Sequence, residues 1–310
     1  MLKKIAVSIG DINGIGIQLA LENHKKVSKL CKPIYCVDKK ILKKASKKLD
    51  IEIPKNFKIY GKYNKTKINP AKTKKNSGLF SYNSFLTAIN LAKENSVDAI
   101  CTLPINKKSW EKAGINYVGH TDMLRDIFHK DAIMMLGCKK MYVALFTEHI
   151  ALKKVPKQIK TKKLVTFLID FYNSIGKPKE NIAVLGLNPH AGDNGVLGNE
   201  EVKIKKAIKI VNTTISKKFK IQNSKFNIVV PDIAFTPNVR KNYKYFVAMY
   251  HDQGLAPLKA LYFEEGINIS LNLPIIRTSV DHGTAFNIAY KKDNNLSSKS
   301  YINAIKEASK

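Results

Sequence analysis

Arginine is nearly missing from this chain. Against 24 acidic residues stand 54 basic ones, and of these only Arg125, Arg240 and Arg277 are arginine. A formal net charge of +30 would by itself suggest a nucleic-acid partner. Bidentate contact with phosphates and base edges is chiefly arginine's work, however. No aromatic-rich RNA-binding signature interleaves the lysines. The lysines are spread along the chain, as in Lys39-Lys40, Lys43-Lys44 and Lys47-Lys48, at spacings that suit the wet face of a helix. We therefore expect no nucleic-acid partner. What the charge does offer is a positive field that favours capture of an anionic substrate.

Cysteine is scarce too. Cys31, Cys36, Cys101 and Cys138 form no C-x-x-C pair, which excludes a zinc ribbon and a thioredoxin-type motif. They read as buried, reduced thiols of a cytosolic protein. No apolar run approaches the roughly 18 residues of a membrane span. The run Ile5–Ile9 behind Lys3 and Lys4 is cut by Asp11, too early for a signal-peptide core. A cytoplasmic protein with no membrane partner is expected.

Apolar residues are plentiful, at 44% of 310 residues, enough for a full core in one large domain or two of ordinary size. Runs that read as buried strands are Ile5–Ile9, Ile34–Val37, Ala99–Leu103, Tyr142–Phe146, Ile182–Leu187, Ile228–Val230, Phe246–Met249 and Ile267–Leu271. Between them Phe85–Glu94, Leu164–Tyr172 and Glu201–Ile215 carry apolar residues at helical spacing. Strands alternating with helices predict an α/β fold with largely parallel sheets, and functional residues where strands end. Residues 54–76 are polar, lysine-rich and weakly periodic, and read as a surface excursion.

Five of the seven histidines sit in similar settings. His149, His190 and His251 each follow a predicted strand, in Thr147-Glu148-His149, Asn188-Pro189-His190 and Tyr250-His251-Asp252. His120 lies in Gly119-His120-Thr121-Asp122 and His282 in Asp281-His282-Gly283-Thr284. His24 and His129, in helix-like charged surroundings, read as surface residues. One histidine after a strand reads as a hydrogen-bonded loop residue. Three at equivalent strand ends share one edge of a parallel sheet and read as a ligand set for a divalent metal. Three protein ligands leave coordination positions open for substrate.

Arg277 follows the run Leu273–Ile276. At a strand end it suits a carboxylate or phosphate, or else a structural salt bridge. Lys259 is one lysine of many. The loop Gly10–Gly16 does not follow the order G-x-G-x-x-G, so the dinucleotide fingerprint is not met. It reads as a tight turn, or as a helix N-terminus near a ligand phosphate.

Together these motifs resemble the 4-hydroxythreonine-4-phosphate dehydrogenase (PdxA) family. The resemblance runs through nearly the whole chain. It lies in Gly-Asp-Ile-Asn-Gly-Ile-Gly from Gly10, Leu-Pro-Ile-Asn-Lys from Leu103 and Gly-His-Thr-Asp from Gly119. It continues in Leu-Asn-Pro-His-Ala-Gly-Asp from Leu187, Met-Tyr-His-Asp-Gln-Gly-Leu from Met249 and Ile-Arg-Thr-Ser-Val-Asp-His-Gly-Thr-Ala from Ile276.

The resemblance implies two α/β/α subdomains of the isocitrate and isopropylmalate dehydrogenase kind, about residues 1–125 with 270–310 and 126–269. It implies a homodimer whose active site lies in the cleft and at the subunit interface. It makes His149, His190 and His251 ligands of a divalent metal (zinc, magnesium or cobalt). It gives substrate contacts to His120, Thr121, Lys259, Asn268 and Arg277, with His120 and Lys259 as candidate proton acceptors. It places NAD or NADP against His282, Gly283, Thr284 and Asn287. The related loops often continue Asp-Ile-Ala-Gly where this chain has Asn287-Ile288-Ala289-Tyr290, which leaves the choice of nucleotide open. Glu148 stands where a small polar residue is common. The implied reaction oxidises 4-phosphooxy-L-threonine to 2-amino-3-oxo-4-phosphooxybutanoate, which decarboxylates to 3-amino-2-oxopropyl phosphate in pyridoxal 5′-phosphate synthesis. The rivals are a paralogous dehydrogenase of 4-phospho-threonate or erythronate and, from another class, a metal-dependent hydrolase.

Overall fold

A computed structural model describes residues 1–63, 66–220, 225–291 and 295–310. In chain order the first elements are β1 (Lys4–Ser8), α1 (Gly16–Val27), β2 (Lys32–Cys36), α2 (Lys39–Leu49) and β3 (Ile59–Tyr60). Then come α3 (Lys75–Lys93), β4 (Ala99–Thr102), α4 (Lys107–Lys112) and α5 (His120–Phe128). A second series is β5 (Ile133–Cys138), β6 (Met141–Leu145), α6 (Val155–Gln158), α7 (Thr161–Ser174), β7 (Ile182–Leu185), α8 (Glu200–Phe219), β8 (Phe226–Val229), α9 (Pro237–Arg240), β9 (Tyr245–Ala248) and α10 (His251–Tyr262). The chain closes with β10 (Ile267–Leu271), β11 (Ile276–Val280) and α11 (Lys299–Ala308). Two compact units result, one of residues 1–130 with 264–310, the other of residues 131–263.

In the first unit the strands run β3-β2-β1-β4-β11-β10, all parallel except β10. The chain passes from β1 to β2 on one side and returns as β4 on the other, so the crevice between β1 and β4 is a topological switch point. Alternation sorts side chains between the faces. Ala6, Ile34, Cys36 and Ile100 pack with Phe85, Ile89, Trp110, Met123 and Leu124 of α3, α4 and α5. On the other face Thr278 donates to Ala304 of α11. Trp110 is buried without an unmet donor because its Nε1 donates to Ser81 at 2.8 Å. In α2 the Asp38 carboxylate caps the helix by accepting from Lys40 and Ile41 backbone nitrogens, both at 2.9 Å. Ile41, Leu42 and Ala45 are buried there while the lysine pairs face water.

The second unit has the order β5-β6-β9-β7-β8. β5 and β6 form an antiparallel hairpin; β6, β9, β7 and β8 are parallel. Its core gathers Leu136, Met141, Val143, Leu145, Leu185, Phe246, Leu255 and Leu258. Among the described residues no helix is long and apolar enough to cross a membrane. All four cysteines are buried and free.

Two expectations change here. His24 is not a surface residue: it is 2% exposed, its imidazole bonded to Tyr35 at 3.0 Å and Asn56 at 2.9 Å. Residues 54–76 are only partly an excursion. They contain β3, and Phe57 stacks on Tyr35 with ring centroids 3.9 Å apart. Asn13 pins the segment by accepting from Asn69 N and donating to Lys72 O. Asn64 and Lys65, within that stretch, lie outside the described residues.

Candidate active site

The first unit gathers four of the implied substrate residues around the carboxyl edge of its sheet. Arg277 is not at a strand end; it is the second residue of β11, opposite Ile100 on β4 and Ser270 on β10. It therefore points to the α3–α4–α5 face. Only 2% of it is exposed. Its guanidinium donates to Thr102 Oγ1 at 2.7 Å and to Ser270 Oγ at 3.0 Å, while Nε has no partner. Among the described residues no carboxylate pairs with it, which removes the structural salt bridge as its explanation. Burial alone pulls the guanidinium pKa down to about 10, against a small opposing effect from Cys101.

His120 opens α5 and is buried with Thr121. Its ring meets Phe85 edge-on at 4.5 Å and Trp110 at 5.8 Å. Burial, then the positive charges of Arg277 and Lys107, hold its imidazole well below the ordinary value, so it is neutral at pH 7. Its Nε2 is buried without a hydrogen-bond partner. Asn268, near the start of β10, pairs with Ser279 of β11. Its Oδ1 is likewise buried and unmatched. Unmet buried polar atoms are rare because each forfeits about 1–3 kcal/mol. Three of them, on His120, Asn268 and Arg277, lie in the first unit, where a polar ligand would satisfy them.

Beside this edge lies the loop after β11. Thr284 is buried and its carbonyl accepts from Ile15 N at 3.2 Å. Tyr290 reaches Ile12 O at 2.8 Å. The loop 281–290 is thus bonded to the loop that follows β1, at the switch point. His282 bonds Gly283 O through Nδ1 at 3.2 Å and leaves Nε2 buried without a partner; burial lowers its pKa. Gly283 and Asn287 are exposed. Beneath the β1 loop, Asp11 is fully buried, accepting from Asn13 N at 2.9 Å and Ser77 Oγ at 3.1 Å. Burial raises its carboxyl pKa over the opposing pull of these bonds.

The second unit carries the three histidines at the carboxyl ends of three adjacent parallel strands, β6, β9 and β7. The rings of His149 and His251 lie 5.4 Å apart, centroid to centroid. His190 Nδ1 faces Asp232 at 3.7 Å. Among the described residues no three His, Cys, Asp or Glu side chains converge closely enough to hold an ion. The donor chemistry fits a divalent metal: three imidazoles on one sheet edge, two already side by side and the third on the neighbouring strand's loop. Lys259, also in this unit, is half-buried in α10 with its ammonium 5.7 Å from the Phe263 ring.

Residues that reading the sequence missed are Thr102 and Ser270, which hold Arg277, and Lys107, whose charge acts on His120. Lys107 stands inside the motif from Leu103, yet nothing in that string gives it a role. Asp232, beside His190, lies in no motif.

The family model described as "Pyridoxal phosphate biosynthetic protein PdxA" matches residues 29–308. The chain belongs to the PdxA family. A 4-hydroxythreonine-4-phosphate dehydrogenase of Sulfurimonas denitrificans is 57% identical over 305 residues, 98% of this chain and 96% of its own length. One of Campylobacter fetus subsp. fetus is 51% identical over 310 residues, 100% of this chain and 98% of its own. Among solved structures, a 4-hydroxythreonine-4-phosphate dehydrogenase of Klebsiella pneumoniae superposes with a TM-score of 0.81 at 30% identity. It covers 100% of this chain and 98% of its own. In this PdxA chain the unmatched polar atoms of His120, Asn268 and Arg277 therefore sit in a fold shared across its whole length with those relatives.

Proposed function

We propose that this chain oxidises the C3 hydroxyl of 4-hydroxythreonine 4-phosphate, with NAD or NADP as hydride acceptor and a divalent metal (zinc, magnesium or cobalt) at His149, His190 and His251. The oxidised product is a β-keto acid, which loses CO2 to leave 3-amino-2-oxopropyl phosphate. The enzyme works as a cytoplasmic homodimer in this reading. One observation carries it: a buried guanidinium that pairs with no carboxylate among the described residues, beside a neutral imidazole with a free nitrogen. A cation held this way is an anion's site, and a neutral imidazole is a proton acceptor.

When bound, the nicotinamide supplies the hydride acceptor and the metal supplies Lewis-acid polarisation of the alcohol. The protein's own residues do the rest. Arg277, fixed by Thr102 and Ser270, binds an anionic end of the substrate. Asn268 Oδ1 accepts from a hydroxyl or ammonium group. His120 Nε2 takes the hydroxyl proton, its low basicity set by burial and by Arg277 and Lys107. Lys259 is the second candidate acceptor and a further cation for the phosphorylated substrate. The loop 282–287 receives the nucleotide, with Gly283 leaving room for close approach.

The test is a panel of 4-phosphooxy-L-threonine, 4-phospho-threonate and 4-phospho-erythronate, each with NAD and NADP, read as nicotinamide reduction with and without chelator. The expected result is turnover of the amino substrate, lost on chelation and restored by added metal. Turnover confined to the amine-free acids would move the chain to the paralogous activity. Substrate hydrolysis without nicotinamide reduction would make it a hydrolase.

A further inference from the structure

The three histidine-bearing loops of the second unit are joined by a continuous run of hydrogen bonds. Thr147 Oγ1 donates to Met249 O at 2.6 Å, joining the loop after β6 to the end of β9. Gln253 stands in the first turn of α10, two residues past His251. Its Oε1 accepts from Met249 N at 2.7 Å and its Nε2 donates to Gly186 O at 2.6 Å. Glu201, buried at the start of α8, then accepts from Leu187 N and Asn188 N, both at 2.8 Å.

Gln253 is the centre of this run. The ladder between β7 and β9 ends at the pair Val184 and Val247. Just beyond it the Gln253 amide presents one acceptor to β9's end and one donor to β7's end, as a peptide group would. It therefore continues the sheet by one rung, at the point where the chain departs for His251 on one side and for His190 on the other. A glutamine here could also serve only as a helix cap, since the third position of a helix commonly reaches back to an unpaired backbone N–H. That role needs the acceptor alone. The bond to Gly186 belongs to neither helix nor cap.

We propose that Gln253 is a positioning residue: its side-chain amide sets the spacing of the His251 and His190 loops, and through it the affinity of the histidine set for a divalent ion. The inference rests on reading the three histidines as metal ligands. Partners one step removed from a metal's ligands typically govern affinity by about 10–100-fold.

Two variants separate bridge from cap. Gln253→Glu keeps the acceptor for Met249 N but, as a carboxylate, cannot donate to Gly186 O. Gln253→Met removes both bonds at similar length. Each is compared with wild type and His251→Ala by calorimetric titration with Co2+, by the visible absorption of the cobalt-loaded protein, and by Tm without metal. We expect both variants to bind Co2+ about 10–100-fold more weakly with an altered cobalt spectrum. We expect Gln253→Glu, which keeps the Met249 bond but sets an oxygen against Gly186 O, to lower Tm, whereas a cap alone would leave the Tm of Gln253→Glu unchanged. Wild-type affinity and spectrum in Gln253→Met, with binding lost in His251→Ala, would overturn the bridge and leave the metal reading standing. Equal cobalt binding by wild type and His251→Ala would overturn the metal reading and the bridge with it. If Gln253→Met does not fold, Gln253→Glu decides the same comparison.

Discussion

Arg277 is almost wholly buried, and among the described residues its hydrogen-bond partners are hydroxyls. Hydroxyl dipoles offset part of the several kcal/mol that desolvating a cation costs. In the proposed reading an arriving anion offsets the rest. Arg277→Met keeps most of the packing volume and discards the charge. Replacing a buried ion by an apolar side chain is commonly neutral or stabilising by about 1–4 kcal/mol. We expect Tm to hold or rise, and kcat/KM for the phosphorylated substrate to fall roughly 10–100-fold, since a hydrogen bond to a charged group contributes about 1.5–3 kcal/mol. Calorimetry and initial rates measure the two. A large drop in Tm with kcat/KM unchanged would make Arg277 a structural residue. None of this is legible in the string Ile276-Arg277-Thr278, which fits a salt bridge as well as an anion site. The deciding facts are that no acid among the described residues pairs with the side chain, and that its hydroxyl partners come from β4 and β10, 175 and 7 residues away in sequence.

Among the elements, the strands rich in β-branched residues stood out in the sequence: β1, β2, β4, β6, β7, β8, β9 and β10 all overlap apolar runs. The others did not, for physical reasons. β5 reads Ile-Met-Met-Leu-Gly-Cys, with unbranched residues that suit a helix equally and a glycine that weakens a strand. β11 carries a buried arginine in its second place, and β3 has two residues. The shared edge of His149, His190 and His251 was legible because β6, β9 and β7 are parallel neighbours. The conformation of the loop after β7 was not. Residues 190–195 all have positive φ, a run that only its surroundings impose. Gly192 has φ +83, and a Cβ there would fall 2.6 Å from Glu201 Oε2 and 2.9 Å from Gly198 O. Gly176 has φ +77 with nothing within 4 Å of such a Cβ. Alanine at Gly176 meets only the left-handed backbone penalty, about 1–2 kcal/mol. Alanine at Gly192 adds the clash with buried Glu201, which holds Leu187 and Asn188, so we expect about 2–4 kcal/mol. Urea unfolding of the two variants measures the difference; equal losses would mean that the loop after β7 yields freely around Glu201.

For the molecule as a whole the dominant fact is an excess of 30 positive charges over a chain with only three arginines. The lysines of α2 show their disposition: apolar residues face inward and each lysine pair stands in water. Such a surface repels itself and attracts anions, and both effects are screened over a Debye length of about 10 Å at 0.1 M salt. Salt should therefore act in two directions. Raising chloride from about 0.05 to 0.5 M relieves self-repulsion, so Tm rises. The same change weakens capture of a phosphorylated substrate, so KM rises about threefold to tenfold while kcat holds, because the field acts on encounter and not on the bound complex. Chloride could instead compete directly at Arg277. Competition would differ between chloride and acetate at equal ionic strength, whereas a field effect follows ionic strength alone. A KM that ignores salt, or that tracks the anion used, would confine the attraction to Arg277 and leave the lysine surface no part in substrate capture.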